Sequence, residues 1–349
     1  MLAYYLMFLV PALAAIMTAG KGVRPNNAVW ISTGMLLTLL LGFRMSGGDW
    51  YNYLSRFDEM RYLTLDLALG IKDPGYQLIS YYMYQWDWGF YAVTMICAVI
   101  SVTGLMIFLR RQVDPWLGLA VAVPYLYIVV YMGYMRQGVA LGLVMWGITF
   151  LERGKFVRFV LMVVLAVTFH KSAILMIAFG VFQQGKGRIF KILAILFAGV
   201  GVWSAFVGDA AETLYVNYVE AGMQSGGAMI RVLLNAVPAM LLMLYRKQWK
   251  QHFNDYGFWS MIALASLAAI PLVVLASTAV DRMALYFLPL QIVVFARLPF
   301  LMRDTLSQQI TTFLILLFYF TVLTVWLTLG SFSKWWLPYK NFLIFSMFG

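Results

Sequence analysis

Apolar stretches about as long as a bilayer is thick follow one another along almost the whole chain, and this pattern restricts the fold more than any other feature. A membrane-spanning helix needs about 20 predominantly apolar residues to cross the hydrocarbon core. Only 11% of the residues are charged and 63% are hydrophobic, which leaves too little polar sequence to cover a soluble core. The sequence therefore predicts an all-α, polytopic membrane protein that forms a single integral membrane domain over residues 1–349.

The apolar stretches predict about twelve transmembrane helices. They lie at residues 2–18, 28–43, 90–109, 116–133, 137–151, 156–169, 172–183, 189–208, 229–245, 257–278, 283–298 and 309–329. The longest connections are residues 44–89 and 209–228, which fall on the same side of the membrane if the spans alternate. Because functional residues concentrate on such connections, we expect that side to carry the ligand-binding surface.

Basic side chains are distributed unevenly between the two sets of alternating loops. Most of the 25 Lys and Arg residues fall in the set of short loops, and that set accounts for the net charge of +11. Loops rich in Lys and Arg stay on the cytoplasmic side of a membrane. We therefore expect both termini and both long loops to be extracytoplasmic. Topology explains the basic charge, so we predict no nucleic-acid partner.

Three short polar segments, at residues 47–51, 135–138 and 169–172, interrupt the apolar pattern and reach the predicted outer face. In the first, Asp49 follows two glycines that permit a tight turn, and its carboxylate suits proton abstraction or sugar binding. In the third, His170 supplies an imidazole that titrates near neutrality. A solvated loop acid and an ordinary interfacial histidine are the alternatives. The segments are therefore hypotheses for one active site.

The predicted outer ends of four spans carry a cation directly beside the apolar segment: Arg136, Lys171, Arg231 and Arg282. Any one of them can be explained by snorkelling to lipid phosphates. Cations that anchor helices concentrate on the inner face, however, so together these four predict a receptor for a polyanion such as a pyrophosphate. We expect the neighbouring Asp281 to orient Arg282.

Metal and cofactor chemistry find little support in the sequence. The chain has two histidines, His170 and His252, and they are predicted on opposite faces, so a zinc site of ordinary spacing is not expected. No Asp-x-Asp pattern is present for a metal-bound sugar nucleotide. We therefore predict a site that uses neither metal nor cofactor.

Seven short motifs occur in an order that resembles a known family. They are Gly-x-Asp-x-Tyr at 47–51, Asp73-Pro74-Gly75-Tyr76, Arg136-Gln137, Phe169-His170-Lys171-Ser172, Ser225-Gly226-Gly227 ahead of Arg231, Arg282 with Tyr286, and Trp336-Leu337-Pro338-Tyr339. This order is similar to that of the EpsG family of exopolysaccharide-assembly proteins, over essentially the full length. The family commonly has Glu at the position of Asp73 and Tyr at the position of Trp50, and neither difference touches the expected chemistry.

The resemblance implies a Wzy-type polysaccharide polymerase with an all-helical, GT-C-like glycosyltransferase fold. Such an enzyme joins polyprenyl-diphosphate-linked oligosaccharide repeat units on the outer face of the bacterial inner membrane. Neither a nucleotide sugar nor a metal is implied. The implied partners are the lipid-linked oligosaccharide, the growing lipid-linked glycan and membrane lipid, with a flippase and a chain-length regulator beside them.

Roles for individual residues follow from this implied chemistry. Negative charge grows on the diphosphate as the glycosidic bond breaks, so the four cations are expected to stabilise the transition state. Asp49 is the first choice for the base that activates the acceptor hydroxyl, and His170 is the second. Further substrate contacts are expected from Trp50, Tyr51, Tyr53 and Tyr76, which would stack on sugars, and from Gln137, Asp281 and Tyr286.

Two other functions use similar residues. A flippase for a lipid-linked sugar would bind the same headgroup, but it needs polar residues along a path through the membrane, and the inner halves of these spans are nearly uncharged. A ligase that transfers finished glycan to another acceptor shares all of the chemistry. The sequence does not separate polymerase from ligase.

Overall fold

Helices form nearly all of the backbone that the computed structural model describes, which comprises residues 1–183, 227–275 and 277–348. In these ranges the one extended pairing is an isolated bridge between Arg44 and Asn341. This confirms the predicted all-α class. The α-helices are α1 (Leu2–Thr18), α2 (Asn27–Gly42), α3 (Trp50–Asp58), α4 (Leu65–Gly70), α5 (Pro74–Gln85), α6 (Phe90–Leu109), α7 (Pro115–Ala122), α8 (Met135–Leu151), α9 (Phe156–Val167), α10 (Leu175–Gln183), α11 (Ala228–Leu244), α12 (Arg246–His252), α13 (Tyr256–Leu275), α14 (Ser277–Ala284), α15 (Leu288–Arg297), α16 (Thr305–Leu329) and α17 (Phe342–Phe348).

Four of the described helical stretches are long and apolar enough to cross a bilayer: Phe90–Leu109, Tyr256–Leu275, Ser277–Arg297 and Thr305–Leu329. A fifth candidate is α11 with α12, a pair bent by 76°. The chain is therefore a membrane protein, whereas the twelve-span arrangement and the outer position of both termini stay predictions. The predicted span at 189–208 and nearly all of the loop 209–228 lie outside the described residues.

Local signals explain where several helices begin and end. Helix α2 begins after Asn26, whose side-chain oxygen accepts a hydrogen bond from the Ala28 N–H at 2.8 Å, and α16 begins after Asp304, which caps Ser307 in the same way. Helix α6 ends where the charged pair Arg110-Arg111 begins. The bounds of α1 and α6 coincide with the predicted spans 2–18 and 90–109.

The chain divides into two compact units, of which the first comprises residues 1–146, 168–170 and 296–349. Within it α2 packs on α6, and α1 and α16 pack on α7. The backbones of α8 and α6 are in close contact where Gly142 meets Gly104. A Cβ atom on Gly104 would lie only 2.0 Å from the carbonyl oxygen of Gly142. Close approach of two helices at small residues is typical of helix packing in membranes.

The long connection 44–89 belongs to the first unit and is itself helical. It holds α3, a 3-10 turn at Glu59–Tyr62, α4 and α5. The buried side chains of α3 are Trp50, Tyr53 and Phe57, which share one face at helical spacing. This face fixes α3 against the rest of the unit.

The second unit comprises residues 147–167 and 171–295, as far as they are described. Its helices α11, α13 and α14 pack on one another, and α10 packs on α13. Two buried amides link α11 with the following segments. Asn235 donates from Nδ2 to the carbonyl of Ala284 at 2.9 Å, and Gln291 donates from Nε2 to Oδ1 of Asn235 at 2.7 Å. The grouping of all 349 residues into one membrane domain stays a prediction.

Candidate active site

Arg136 and Asp73 form an ion pair in the first unit, with Nη1 of the arginine 2.6 Å from Oδ2 of the aspartate. Their side chains are 22% and 10% exposed. Arg136 lies in the first turn of α8, and Asp73 directly precedes α5. Asp73 adopts a left-handed backbone (φ +65°) instead of the extended conformation that a residue before proline usually takes. Its carboxylate does not cap α5 and is directed instead to Arg136.

Two adjacent tyrosine rings pack against the Arg136 guanidinium. Its central carbon lies 5.6 Å from the ring centroid of Tyr53 and 5.9 Å from that of Tyr76, within cation–π range. The two rings are themselves 5.5 Å apart. Burial raises the pKa of both phenols, although the charge of Arg136 partly opposes the shift. Both hydroxyls therefore stay neutral at physiological pH, and Arg136 keeps its charge beside an aromatic wall.

Asp49 lies near this cluster. Its negative charge is one of the influences that raise the pKa of the Tyr53 hydroxyl, and its backbone carbonyl accepts a hydrogen bond from the Tyr53 N–H at 3.0 Å. The Tyr53 hydroxyl in turn accepts a long contact, 3.5 Å, from the backbone N–H of Arg136. The first two polar segments that we predict as parts of one site are thus brought together.

The C-terminal segment holds the turn that carries Asp49. Gly47 has φ +128°, and a Cβ atom there would lie 2.2 Å from the carbonyl oxygen of Met132, so only glycine fits. Its N–H donates to the Trp335 carbonyl at 2.9 Å. The indole of Trp336 packs beside Gly48 and donates to the Ile128 carbonyl at 2.8 Å. This explains physically why the terminal Trp-Leu-Pro-Tyr motif accompanies the glycine turn.

The third polar segment also approaches the cluster through backbone contacts. The Gly75 N–H donates to the Thr168 carbonyl at 2.9 Å. A Cβ atom on Gly75 would lie 2.4 Å from the Thr168 hydroxyl and 3.2 Å from the Phe169 ring. His170, half-buried, follows directly. The start of α5 therefore fixes both Asp73 and the approach of the segment that contains His170.

Arg44 is a positioning residue that sequence reasoning missed, because we count it as a cation of the outer loop. It is 1% exposed and donates from Nε to the Met132 carbonyl at 3.0 Å and from Nη1 to the Leu41 carbonyl at 2.8 Å. Burial lowers the pKa of this guanidinium. It ties the end of α2 to the backbone just before α8, where Arg136 lies. The sequence feature that could have indicated this buried role is the position of Arg44 directly after an uninterrupted apolar span.

The predicted residues of the second unit include a different ion pair. Nε and Nη2 of Arg231 donate to Oδ1 and Oδ2 of Asp281, so the fork is bidentate. Both carboxylate oxygens of Asp281 thus contact Arg231, and the expectation that Asp281 orients Arg282 stays a prediction. Arg282 itself is exposed, Lys171 is half-buried at the start of a 3-10 turn, and Tyr286 is fully buried.

Most of the aromatic rings that we expect to stack on sugars are not exposed in the first unit. Trp50, Tyr53 and Tyr76 are buried, because they form the inner faces of α3 and α5. Tyr51 is 66% exposed and is the member of this group that is available for stacking on a sugar. Gln137, beside Arg136, is buried in the first turn of α8.

Arg136 also lines a cavity of about 580 Å³ in the first unit. The other lining residues come from α3, the following 3-10 turn, the end of α4 and α5, so the folded connection 44–89 builds it. Its volume is in the range of small-molecule sites, about 300–1,000 Å³. The ion pair, the two rings and the cavity together form the candidate site.

Comparison with known families assigns the chain. The family model described as the EpsG family matches residues 27–341. The chain belongs to the EpsG family. This is a family of Wzy-type polymerases. The matched range contains every candidate site residue of this EpsG-family protein. It ends at Asn341, the bridge partner of Arg44. Comparison with curated proteins and with solved structures finds no match to either.

Proposed function

We propose that this protein polymerises polyprenyl-diphosphate-linked oligosaccharide repeat units on the outer face of the bacterial inner membrane. The observation that carries the proposal is the arrangement of Arg136. Its guanidinium packs against two adjacent tyrosine rings, contacts one oxygen of Asp73 through one nitrogen, and borders a cavity of about 580 Å³. Membership of a polymerase family supports the same reaction class. The GT-C-like fold and the twelve spans belong to this proposal.

The reaction is a glycosyl transfer between two lipid-linked glycans. The acceptor hydroxyl oxygen attacks the anomeric carbon of the donor sugar, and the bond from that carbon to the diphosphate oxygen breaks. The diphosphate leaves with the bonding electrons, and the proton of the acceptor hydroxyl passes to the base. Arg136 strengthens its contact with the leaving oxygens as their charge grows, which lowers the barrier without a metal. Arg282, Arg231 and Lys171 belong to the second unit, and their contact with the anion stays a prediction.

Asp49 is the proposed base. The glycine turn before it is pinned by Met132 and Trp335, so the carboxylate position is set by backbone packing. Its proximity to the Tyr53 hydroxyl places it beside the Arg136 cluster. A general base must lie within hydrogen-bond reach of the acceptor hydroxyl in the bound complex, and a position near the group that holds the leaving diphosphate suits this role. His170 remains the second choice for this role.

The test is turnover by the purified protein in detergent with a lipid-diphosphate oligosaccharide. A ladder of products with increasing numbers of repeat units supports the proposal, whereas one transfer only indicates a ligase. No product combined with movement of the lipid between vesicle leaflets indicates a flippase. Arg136→Ala should abolish the ladder, and Arg61→Ala, which removes an exposed arginine of the same connection, is the matched control.

A further inference from the structure

The cavity beside Arg136 has a mixture of lining groups that a diphosphate alone does not satisfy. Its charged lining residues are Arg56, Lys72 and Arg136, with Glu59 on the same wall. Arg136 is paired with Asp73, whereas Arg56 and Lys72 form no ion pair within the described residues. The cavity therefore offers two uncompensated cations to an anionic group.

Gln77 gives the second observation. This lining residue is 2% exposed, and its side-chain oxygen Oε1 has no hydrogen-bond partner. Its Nε2 makes only a long contact, 3.5 Å, to the Lys72 carbonyl. A buried acceptor without a donor is unfavourable. The oxygen has almost no accessible surface in this structure, so we expect the amide to turn toward the cavity when a ligand brings a hydroxyl donor. The exposed carboxylate of Glu59 can accept a further hydrogen bond from a ligand hydroxyl.

These groups restrict the chemistry of the ligand. A diphosphate carries acceptors only, so it can pair with the cations but has no proton for Gln77 Oε1 or Glu59. A neutral sugar supplies hydroxyl donors but leaves Arg56 and Lys72 without a charge partner. A sugar that carries a carboxylate or a phosphate substituent supplies both. The side chains of Met60, Leu63 and Ile71 add apolar wall against which a sugar ring can lie.

We propose that this cavity binds an acidic sugar of the oligosaccharide repeat unit. Its anionic group pairs with Arg56 and Lys72, and its hydroxyls donate to Gln77 Oε1 and Glu59. The assignment of the ligand to a repeat unit rests on the proposed function. Since Arg136 lies at the border of the cavity, the acidic sugar is then held close to the diphosphate contact, and the cavity selects which glycan is elongated.

Binding to the full chain in detergent tests this assignment. The probes are methyl glucuronide and methyl galacturonide, each compared with its neutral methyl glycoside, with sodium pyrophosphate as a separate arm, and binding is followed by saturation-transfer NMR. At least one acid should bind more tightly than its neutral counterpart. Replacing both cations, Arg56→Gln with Lys72→Gln, should weaken the acid about tenfold or more, as expected for hydrogen bonds to charged groups. The neutral glycoside should change little.

Two further variants separate ligand contacts from folding and from bulk charge. Gln77→Leu removes an acceptor that no protein group uses, so it should weaken sugar binding while thermal stability is kept or raised. Arg61→Gln removes a nearby exposed cation outside the cavity and should leave binding unchanged. Equal binding of the acids and the neutral glycosides overturns the assignment. So does an equal loss in Arg61→Gln, or competition in which pyrophosphate displaces the acid and depends on Arg56 and Lys72.

The outcome is independent of the polymerase assay. A protein that forms the product ladder but shows no preference for either acid refutes the cavity assignment and leaves the proposed function intact. A protein that prefers an acid through Arg56 and Lys72, yet forms no product from any lipid-linked donor, keeps the cavity assignment as a sugar site and refutes the polymerase.

Discussion

Replacement of Asp73 by Asn tests whether this aspartate acts through Arg136. The change keeps the shape of the side chain and removes its charge. Breaking a fully buried pair costs about 3–5 kcal/mol, whereas an exposed pair contributes about 0–1 kcal/mol. With exposures of 10% and 22% the pair lies between these limits, and the amide oxygen of Asn still accepts a hydrogen bond. We therefore expect a loss of about 1–2 kcal/mol of stability.

The effect on turnover should be larger than the effect on folding. Arg136→Ala removes the contact to the leaving oxygens and should lower the rate at least about a hundredfold, roughly 3 kcal/mol, and the same loss is expected for Arg282→Ala. Arg136→Lys should recover part of it, because lysine keeps the charge but loses the planar fork that packs against Tyr53 and Tyr76. Asp73→Asn should lower the rate about tenfold by releasing that fork.

A double-mutant cycle measures the coupling. If Asp73 acts only through Arg136, the Asp73→Asn change should cost no further rate in the Arg136→Ala background. The assay is product-ladder formation, with resistance to heat in detergent measured in parallel. Asp58→Asn, an exposed acid of the same connection, is the control. Independent, additive losses in the double variant would refute the positioning role, and near-normal polymer from Arg136→Ala at normal expression would remove Arg136 from the site.

The remaining predictions concern the base, the metal, the topology and the second ion pair. Asp49→Asn should abolish chain growth while the lipid-linked donor still binds; if His170 is the base, His170→Ala is inactive instead and the pH–rate profile gains a limb near about 6.5. Activity should survive EDTA, and loss with rescue by magnesium would contradict the cationic mechanism. A cysteine introduced at position 66 should react with an impermeant reagent in intact cells; reaction only after permeabilisation would reverse the topology. Arg231→Ala should lower heat resistance more than Arg231→Lys, because it leaves Asp281 without its bidentate partner, and equal stability of the two variants would exclude that role.

The positions of the helices could be predicted because one physical quantity decides them. Each bilayer-length apolar run must satisfy its own backbone hydrogen bonds, and a helix does so within the run. Helices α1 and α6 accordingly begin and end where the apolar runs do. The connection 44–89 was less predictable, since its short helices α3, α4 and α5 are stabilised by packing rather than by length.

Pairing between distant residues could not be predicted. Arg136 and Asp73 are 63 positions apart, and Arg231 and Asp281 are 50 apart. Hydrophobic periodicity assigns both members of each pair to the same membrane face but carries no information on which helix ends meet. The same limit applies to the burial of Arg44. Its position after a span is equally consistent with a solvated loop and with a buried site whose carbonyl partners, Leu41 and Met132, are revealed only by tertiary structure.

The two ion pairs differ in a way that changes the weight given to the predicted cations. Arg231 directs two nitrogens to both oxygens of Asp281, so an anionic ligand must compete with a bidentate, charge-assisted pair. Arg136 meets Asp73 through one nitrogen and borders a cavity. An anion can therefore approach Arg136 without separating it from Asp73. The sequence does not distinguish the four cations, whereas in the structure Arg231 joins α11 to α14 through Asp281 and Arg136 borders a cavity. We therefore expect loss of Arg136 to affect turnover more than folding, and loss of Arg231 to affect folding more than turnover.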